Sequence, residues 1–435
     1  MDLLKKLKEK KNKLGETSTH LFNTFLVYGF FTLAILISRI LIARFYGQEN
    51  LGIFTYFFSL VSFVLLFTSF GLPEAITQTI VKERYKLKSV LKKYIYLIIL
   101  STLIFTVLTL IMTNYFGFNP TIHYFNYTVI AYLVVHTIFN TIYSIFRGFK
   151  KFTEASFYSL ISRALFVAFI IACFILSYSI TEVLFSLSIS ILLAAILALP
   201  KLKDMIKSSF EGTLQGNLTK ADTKNEGKNI ELKKFLYLSF SLFLMQVGFY
   251  SLRFLSEIII GRIVDFQSLG LYSAHSSITN TIRLVAYVFP VVVLPMAAVS
   301  KFKMKRSIKK ILMILIPFSL ITLIGTYILV PILYGAEYKN LLLPFFLVIS
   351  SSLLVIYSYL NSVFVGENNF SKFYLKIISI DLLLSLIINI ALNIYLIKKI
   401  GIVGAPIATS ITIIFKIALN TYALKKMRIT RKEDD

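Results

Sequence analysis

Seven ionisable residues stand inside long apolar runs, the bases Arg39, Arg163, Arg253, Arg283 and Lys416 and the acids Glu257 and Asp381, and an eighth, Glu74, follows Pro73 at the end of one. A charge at the centre of a membrane helix costs about 2.5–3.5 kcal/mol on insertion scales, so such residues are expected to face a water-filled cavity or one another. Five bases against three acids would make a shared cavity cationic and its ligand anionic. Arg283 lies deepest, roughly 20 Å of helix from the start of its run at about 1.5 Å per residue. Phosphate contact and a structural bridge are its two readings. Arg253 and Glu257 are four residues apart, which places them on one helix face as an intrahelical pair or as two cavity residues.

Asp381 and Glu74 are candidates for a coupling proton or Na⁺, because a partly buried carboxylate with a raised pKa responds to an ion gradient. The alternatives are pairing with Lys416 and capping of a broken helix. Arg163 and Lys416 fall in the inner third of their runs and either join the cavity or snorkel to the cytoplasmic headgroups. Pro73, Pro290 and Pro295 each remove a backbone hydrogen bond and are candidate hinges. His20, His123, His136 and His275 have no ligand spacing, so no metal site is predicted. The single cysteine, Cys173, excludes a disulfide framework, and no cofactor motif is present.

The elements that must position these residues follow from composition. The chain has 435 residues, 57% hydrophobic and only 15% charged, with a mean hydropathy of +0.77. A soluble core cannot hide that much apolar surface, whereas twelve spans of about 20 residues can. Apolar runs lie near 20–43, 51–72, 90–113, 122–146, 155–178 and 180–199, then near 234–258, 268–300, 308–330, 340–364, 373–396 and 402–424. The first twenty residues are too charged for a signal peptide and read as an amphipathic surface helix on anionic lipid, or as a solvated tail.

The net charge of +25 encodes topology and predicts no nucleic-acid partner. With the N-terminus inside, 36 of the 46 basic residues fall on the cytoplasmic side, and Arg44, Arg262, Lys339, Lys398 and Lys399 fall on the other. The positive-inside rule then places both termini in the cytoplasm. The polar segment at about 201–233 reads as a flexible linker.

The two halves repeat. Residues 40–60 lie without gaps on 258–278, an offset of 218 that puts Arg44 on Arg262, Leu51 on Leu269 and Gly52 on Gly270. Gly148 and Phe152 fall on Gly366 and Phe370 at the same offset, and Arg39 falls on Glu257. Six spans per half make the repeats parallel, related by an axis along the membrane normal with the substrate path between them. Arg39 and Glu257, both toward the outer leaflet, are expected to be able to close an external gate.

Two stretches carry a family resemblance: SRILIARFYGQENLGIFTYFFSLVSFVLLFTSFGLPEAITQTIVKE at 38–83 and NIALNIYLIKKIGIVGAPIATSIT at 389–412. They resemble the opening and closing motifs of the polysaccharide-biosynthesis flippases, the O-antigen repeat-unit exporters of the multidrug/oligosaccharidyl-lipid/polysaccharide (MOP) superfamily. The resemblance implies cavity arginines on the first, seventh and eighth helices, which here are Arg39, Arg253 and Arg283.

The expected fold is an all-α polytopic membrane protein of about twelve transmembrane helices, in two parallel-repeat six-helix lobes around a central cavity. Its parts are an amphipathic cytoplasmic segment (1–19), an N-terminal lobe (20–199), a linker (200–233), a C-terminal lobe (234–424) and a cytoplasmic tail (425–435). The expected function is a flippase that moves a polyprenyl-(pyro)phosphate-linked oligosaccharide across the cytoplasmic membrane by alternating access. Arg39, Arg253, Arg283 and Glu257 would bind the substrate. Expected partners are the lipid-linked anionic oligosaccharide, anionic membrane lipids and polysaccharide assembly proteins.

Three alternatives stand beside this. A multidrug antiporter of the same superfamily shares the fold but favours acidic cavities. A membrane glycosyltransferase or polymerase needs a sizeable external loop and a nucleophile, metal cluster or phosphate loop, none of which the sequence offers, so no enzyme is expected. A non-transporting scaffold is the third.

Overall fold

The computed structural model describes residues 2–82, 87–115, 124–149, 151–214, 232–299, 304–368 and 372–434, and all regular structure among them is helical. The helices are α1 (Asp2–Ser69), α2 (Leu72–Lys82), α3 (Leu87–Tyr115), α4 (Phe125–Gly148), α5 (Phe152–Ile175), α6 (Ile180–Leu214), α7 (Leu232–Ile263), α8 (Phe266–Val299), α9 (Met304–Leu333), α10 (Leu343–Asn368), α11 (Lys372–Ile400) and α12 (Gly404–Asp434). α1 is two arms joined at Gly47, whose φ of 87° and ψ of 177° suit a residue without Cβ. α11 and α12 are separated by the short turn at Gly401–Val403. With these breaks counted, the chain makes about twelve passes.

Both halves turn apolar side chains outward at equivalent places. Ile95, Ile99, Leu103 and Ile111 on α3 and Met313, Ile321, Ile324 and Ile332 on α9 are exposed apolar side chains. Residues 95 and 313 are again 218 apart, so the same pass of each repeat forms the outer wall. The lobes meet where α1 packs on α7 and α8, and α8 packs in turn on α10.

Two expectations change, the bend at Pro73 and the start of the linker. The second pass breaks at Phe70 (φ 46°) and Gly71 (φ 66°), just ahead of Pro73. Pro73 is the second residue of α2, where its missing N–H would have had no helical partner, so it starts a helix there and does not bend one. Gly71 is required on a second count, since a Cβ there would overlap the Ser239 carbonyl oxygen and lie 2.7 Å from the Phe243 nitrogen. α8 is helical through positions 290 and 295; the side chains of Pro290 and Pro295 lie outside the described residues. α6 continues through Pro200 to Leu214, so the first part of the expected linker is helix; 215–231 lies outside the described residues. The backbone is helical from Asp2, while the side chains of 1–28, on which the amphipathic reading rests, lie outside the described residues. α7 bends by 49° between Gly248 and Tyr250, one turn before Arg253.

Candidate functional site

The lobes close on each other at the end of the bundle opposite the chain termini, hereafter the distal end. The second arm of α1 presents Gln48, Gly52, Thr55 and Ser59, spaced 4-3-4 and therefore on one helix face. α8 presents Phe266, Gly270, Ser273 and Ser277 at the same spacing, each 218 residues on. The two stripes meet on the pseudo-twofold axis. A Cβ at Gly52 would overlap the carbonyl oxygen of Phe266, and one at Gly270 would overlap that of Gln48, two reciprocal contacts that only glycine permits. Thr55 Oγ1 donates to Ser273 Oγ at 2.7 Å, a bond between a residue and its own repeat equivalent. Small and hydroxyl-bearing residues are what allow two membrane helices this proximity. Arg44 adds a strap, its Nε and Nη2 donating to the Leu333 and Ile332 carbonyls at the end of α9 at 2.8 and 2.5 Å.

The predicted substrate residues collect beneath this seal. Arg39, Arg253, Arg283 and Glu257 all lie within electrostatic reach of the Tyr272 phenol on α8. Arg39 is 1% exposed, and none of its three guanidinium nitrogens has a hydrogen-bond partner among the described residues. Glu257 is equally buried and accepts from Ser59 Oγ; its other oxygen is 3.5 Å from Arg253 Nε. Arg253 keeps 21% of its side chain accessible. Arg283 Nε donates to Ser351 Oγ of α10 at 3.1 Å. The intrahelical reading of Arg253 and Glu257 therefore holds in part. The direct Arg39–Glu257 closure is not made in this state, because the carboxylate is already engaged by Ser59 and Arg253. Three guanidinium groups against one carboxylate give the cluster a formal charge of +2.

Tyr272 is the residue the sequence reading missed. It lies in the repeat segment that was aligned, opposite Phe54, and only its phenolic oxygen distinguishes it from a core aromatic.

The other charges do not join this cluster. Lys416 is fully buried, with Nζ donating to Asp381 Oδ2 at 2.6 Å and to Ser385 Oγ at 3.1 Å, and lying 5.1 Å from the Tyr357 ring centre. It does not snorkel to the headgroups, since Asp381 of α11 holds it inside the C-terminal lobe. Arg163 is buried among α4 and α5, hydrogen-bonded to the Tyr132 hydroxyl beside His136, and does not snorkel either. Arg163 and Asp381 are themselves 218 apart. The repeat thus reverses charge at two equivalent positions, Arg39 to Glu257 and Arg163 to Asp381. Glu74 is half-buried near Tyr94, and its Oε2 has no partner among the described residues. His123 and the side chain of His20 lie outside the described residues, and no cluster of three metal-ligating side chains occurs among the described ones.

A polytopic bundle of two pseudo-symmetric lobes, closed at one end above a buried cationic cluster, defines the class as a multi-span membrane transporter. The chain belongs to the polysaccharide biosynthesis protein family, whose sequence profile it matches over residues 20–301. It is 27% identical over 376 residues to an uncharacterized membrane protein of Methanocaldococcus jannaschii, covering 84% of this chain and 88% of that one. Its fold is similar to that of the lipid II flippase MurJ in an inward closed conformation, with a TM-score of 0.66 and 18% identity over 92% of this chain and 87% of that one. It is also similar to an inward-facing multidrug resistance MATE family transporter of the MOP superfamily, with a TM-score of 0.62 and 15% identity over 93% and 96% of the two chains. The expected all-helical, two-lobe MOP fold is therefore found, and the protein is a flippase or transporter of that type.

Proposed function

We propose that this transporter flips a polyprenyl-(pyro)phosphate-linked oligosaccharide across the cytoplasmic membrane, with both termini cytoplasmic. The observation that carries the reading is the +2 cluster of Arg39, Arg253, Arg283 and Glu257 around Tyr272, sealed from the distal end. Guanidinium groups bind phosphate with several charge-assisted hydrogen bonds, and the nitrogens of Arg39 have such bonds to give. A phosphate drawn to this depth lies between the lobes, and parting of the 48–59 and 266–277 stripes would release it to the far side. That is alternating access by rocking of two parallel repeats. The family description, polysaccharide biosynthesis, supports a glycan cargo.

The same charge disfavours a cationic-drug exporter, whose substrate would meet three arginines. Asp381 remains the candidate for ion coupling in this scheme. One of its oxygens holds Lys416 and the other, Oδ1, has no partner among the described residues.

The test is equilibrium binding of a fluorescent polyprenyl-pyrophosphate oligosaccharide to purified protein, with a polyprenyl alcohol oligosaccharide as the phosphate-free control. The proposal requires tighter binding of the pyrophosphate form and loss of that preference in Arg253→Gln and Arg283→Gln. Equal binding of both lipids by the wild type would reject it.

A further inference from the structure

The distal seal repeats itself across the pseudo-twofold axis except at one place. Its Gly52 and Gly270 contacts are reciprocal, and Thr55 meets its own equivalent, Ser273. One turn deeper, Ser59 Oγ on the second arm of α1 donates to Glu257 Oε2 on α7. The repeat equivalents of these two residues are Ser277 and Arg39, each at an offset of 218. They do not pair: Ser277 Oγ lies 2.6 Å from the Tyr334 hydroxyl, and the nitrogens of Arg39 have no partner among the described residues. The Ser59–Glu257 bond is therefore a charge-assisted tie between the lobes that the repeat symmetry does not supply.

Glu257 holds this tie with one oxygen and faces the cationic cluster with the other. Oε1 is 3.5 Å from Arg253 Nε, longer than the roughly 2.7–2.9 Å of a well-formed guanidinium–carboxylate bond. Arg253 is also the base that a ligand can reach, since 21% of its side chain is accessible whereas Arg39 and Arg283 are buried. The carboxylate is thus a loose occupant of a guanidinium that a phosphate can take with two parallel bonds. A phosphate seated there stands beside a second anion away from bulk water, and the two repel.

We infer that Glu257 is an internal stand-in for the cargo phosphate, and that its displacement from Arg253 unlatches the distal seal. In the empty, sealed state the carboxylate bridges Arg253 and Ser59. When the phosphate takes Arg253, Glu257 is driven off, the bond to Ser59 breaks, and the 48–59 stripe loses its tie to α7 and can part from 266–277. Glu257 is then a positioning residue that makes opening depend on the anion. The inference rests on the cargo reading given above and supplies its trigger. Because such coupling is reciprocal, whatever weakens the latch must tighten phosphate binding by the same factor.

Two readouts on the full chain test this: equilibrium binding of the fluorescent polyprenyl-pyrophosphate oligosaccharide, and labelling of a Thr55→Cys reporter, in a Cys173→Ala background, by a membrane-impermeant maleimide. With Ser59 and Glu257 intact, the pyrophosphate probe should raise labelling and the polyprenyl alcohol control should not. Ser59→Ala breaks the latch on the side away from Arg253; it should label readily without probe and bind the probe at least about fivefold tighter, the low end of typical coupling between sites. Glu257→Gln, uncharged and of the same shape, should do both as well. A serine that only supported the fold would give looser or unchanged binding when removed. Tighter binding by Glu257→Gln alone is what loss of an acid gives in any case, so the latch stands or falls with Ser59→Ala. If the wild type prefers the pyrophosphate probe but Ser59→Ala binds it no tighter, or the probe leaves labelling unchanged, the latch is overturned while the cargo reading stands. A wild type that does not distinguish the two probes would remove the cargo reading, and the latch with it.

Discussion

At Lys416 the chain buries an ammonium group completely, and the 2.6 Å bond to Asp381 is what makes that burial tolerable. Removing one partner of a buried pair costs about 3–5 kcal/mol because the other is stranded, whereas replacing both with apolar residues of similar size is often near neutral. Lys416→Met is therefore expected to lower the melting temperature of the detergent-solubilised protein sharply, and Lys416→Met with Asp381→Leu to recover most of the loss. A double variant as unstable as the single one would mean the pair does more than neutralise itself. Arg283 and Lys416 were equally visible as intruders in apolar sequence, but their partners were not. Ser351 is one of many serines, and the choice of Asp381 over the headgroups for Lys416 depends on how α12 is rotated against α11.

Helix contacts explain which parts of the sequence reading were legible. The offset of 218 was readable because glycines and an arginine repeat at it, and its physical meaning is the closure of the 48–59 stripe on 266–277. Thr55 and Ser273 carried no such signal, since different residue types meet at the axis. The reversal from Arg163 to Asp381 was hidden for the same reason: an alignment anchored on identities does not report opposite charges. The break at Phe70–Gly71 was attributed to Pro73 because proline is the more conspicuous residue, although a non-glycine at φ 46° sets it.

Two outcomes are expected at this scale. In a Cys173→Ala background, Thr55→Cys with Ser273→Cys should crosslink, arrest transport and recover with reductant, whereas transport that continues through a complete crosslink would show that the stripes need not part. Gly52→Ala places a Cβ against the Phe266 carbonyl and should force the stripes apart. It is expected to raise labelling of a Thr55→Cys reporter by a membrane-impermeant maleimide, and unchanged labelling would count against a glycine-dependent seal.

Across the whole molecule, about twelve passes put one buried cationic cluster between two lobes of the same architecture, and the fold surrounds it with two further buried bases, one in each lobe. Lys416 is neutralised by its own acid; the central cluster keeps a net +2, and that surplus is what an anionic cargo would answer. The membrane composition predicted from sequence is matched by the helices, whereas the cargo itself is a matter of chemistry at Arg39, Arg253 and Arg283. The most direct test is movement of a fluorescent polyprenyl-pyrophosphate oligosaccharide between leaflets of proteoliposomes, comparing wild type with Arg283→Ala at equal reconstitution. The account predicts transport by the wild type and a loss of about tenfold or more in the variant, as expected for removing a charge-assisted contact to phosphate. Transport by Arg283→Ala at the wild-type rate would contradict it.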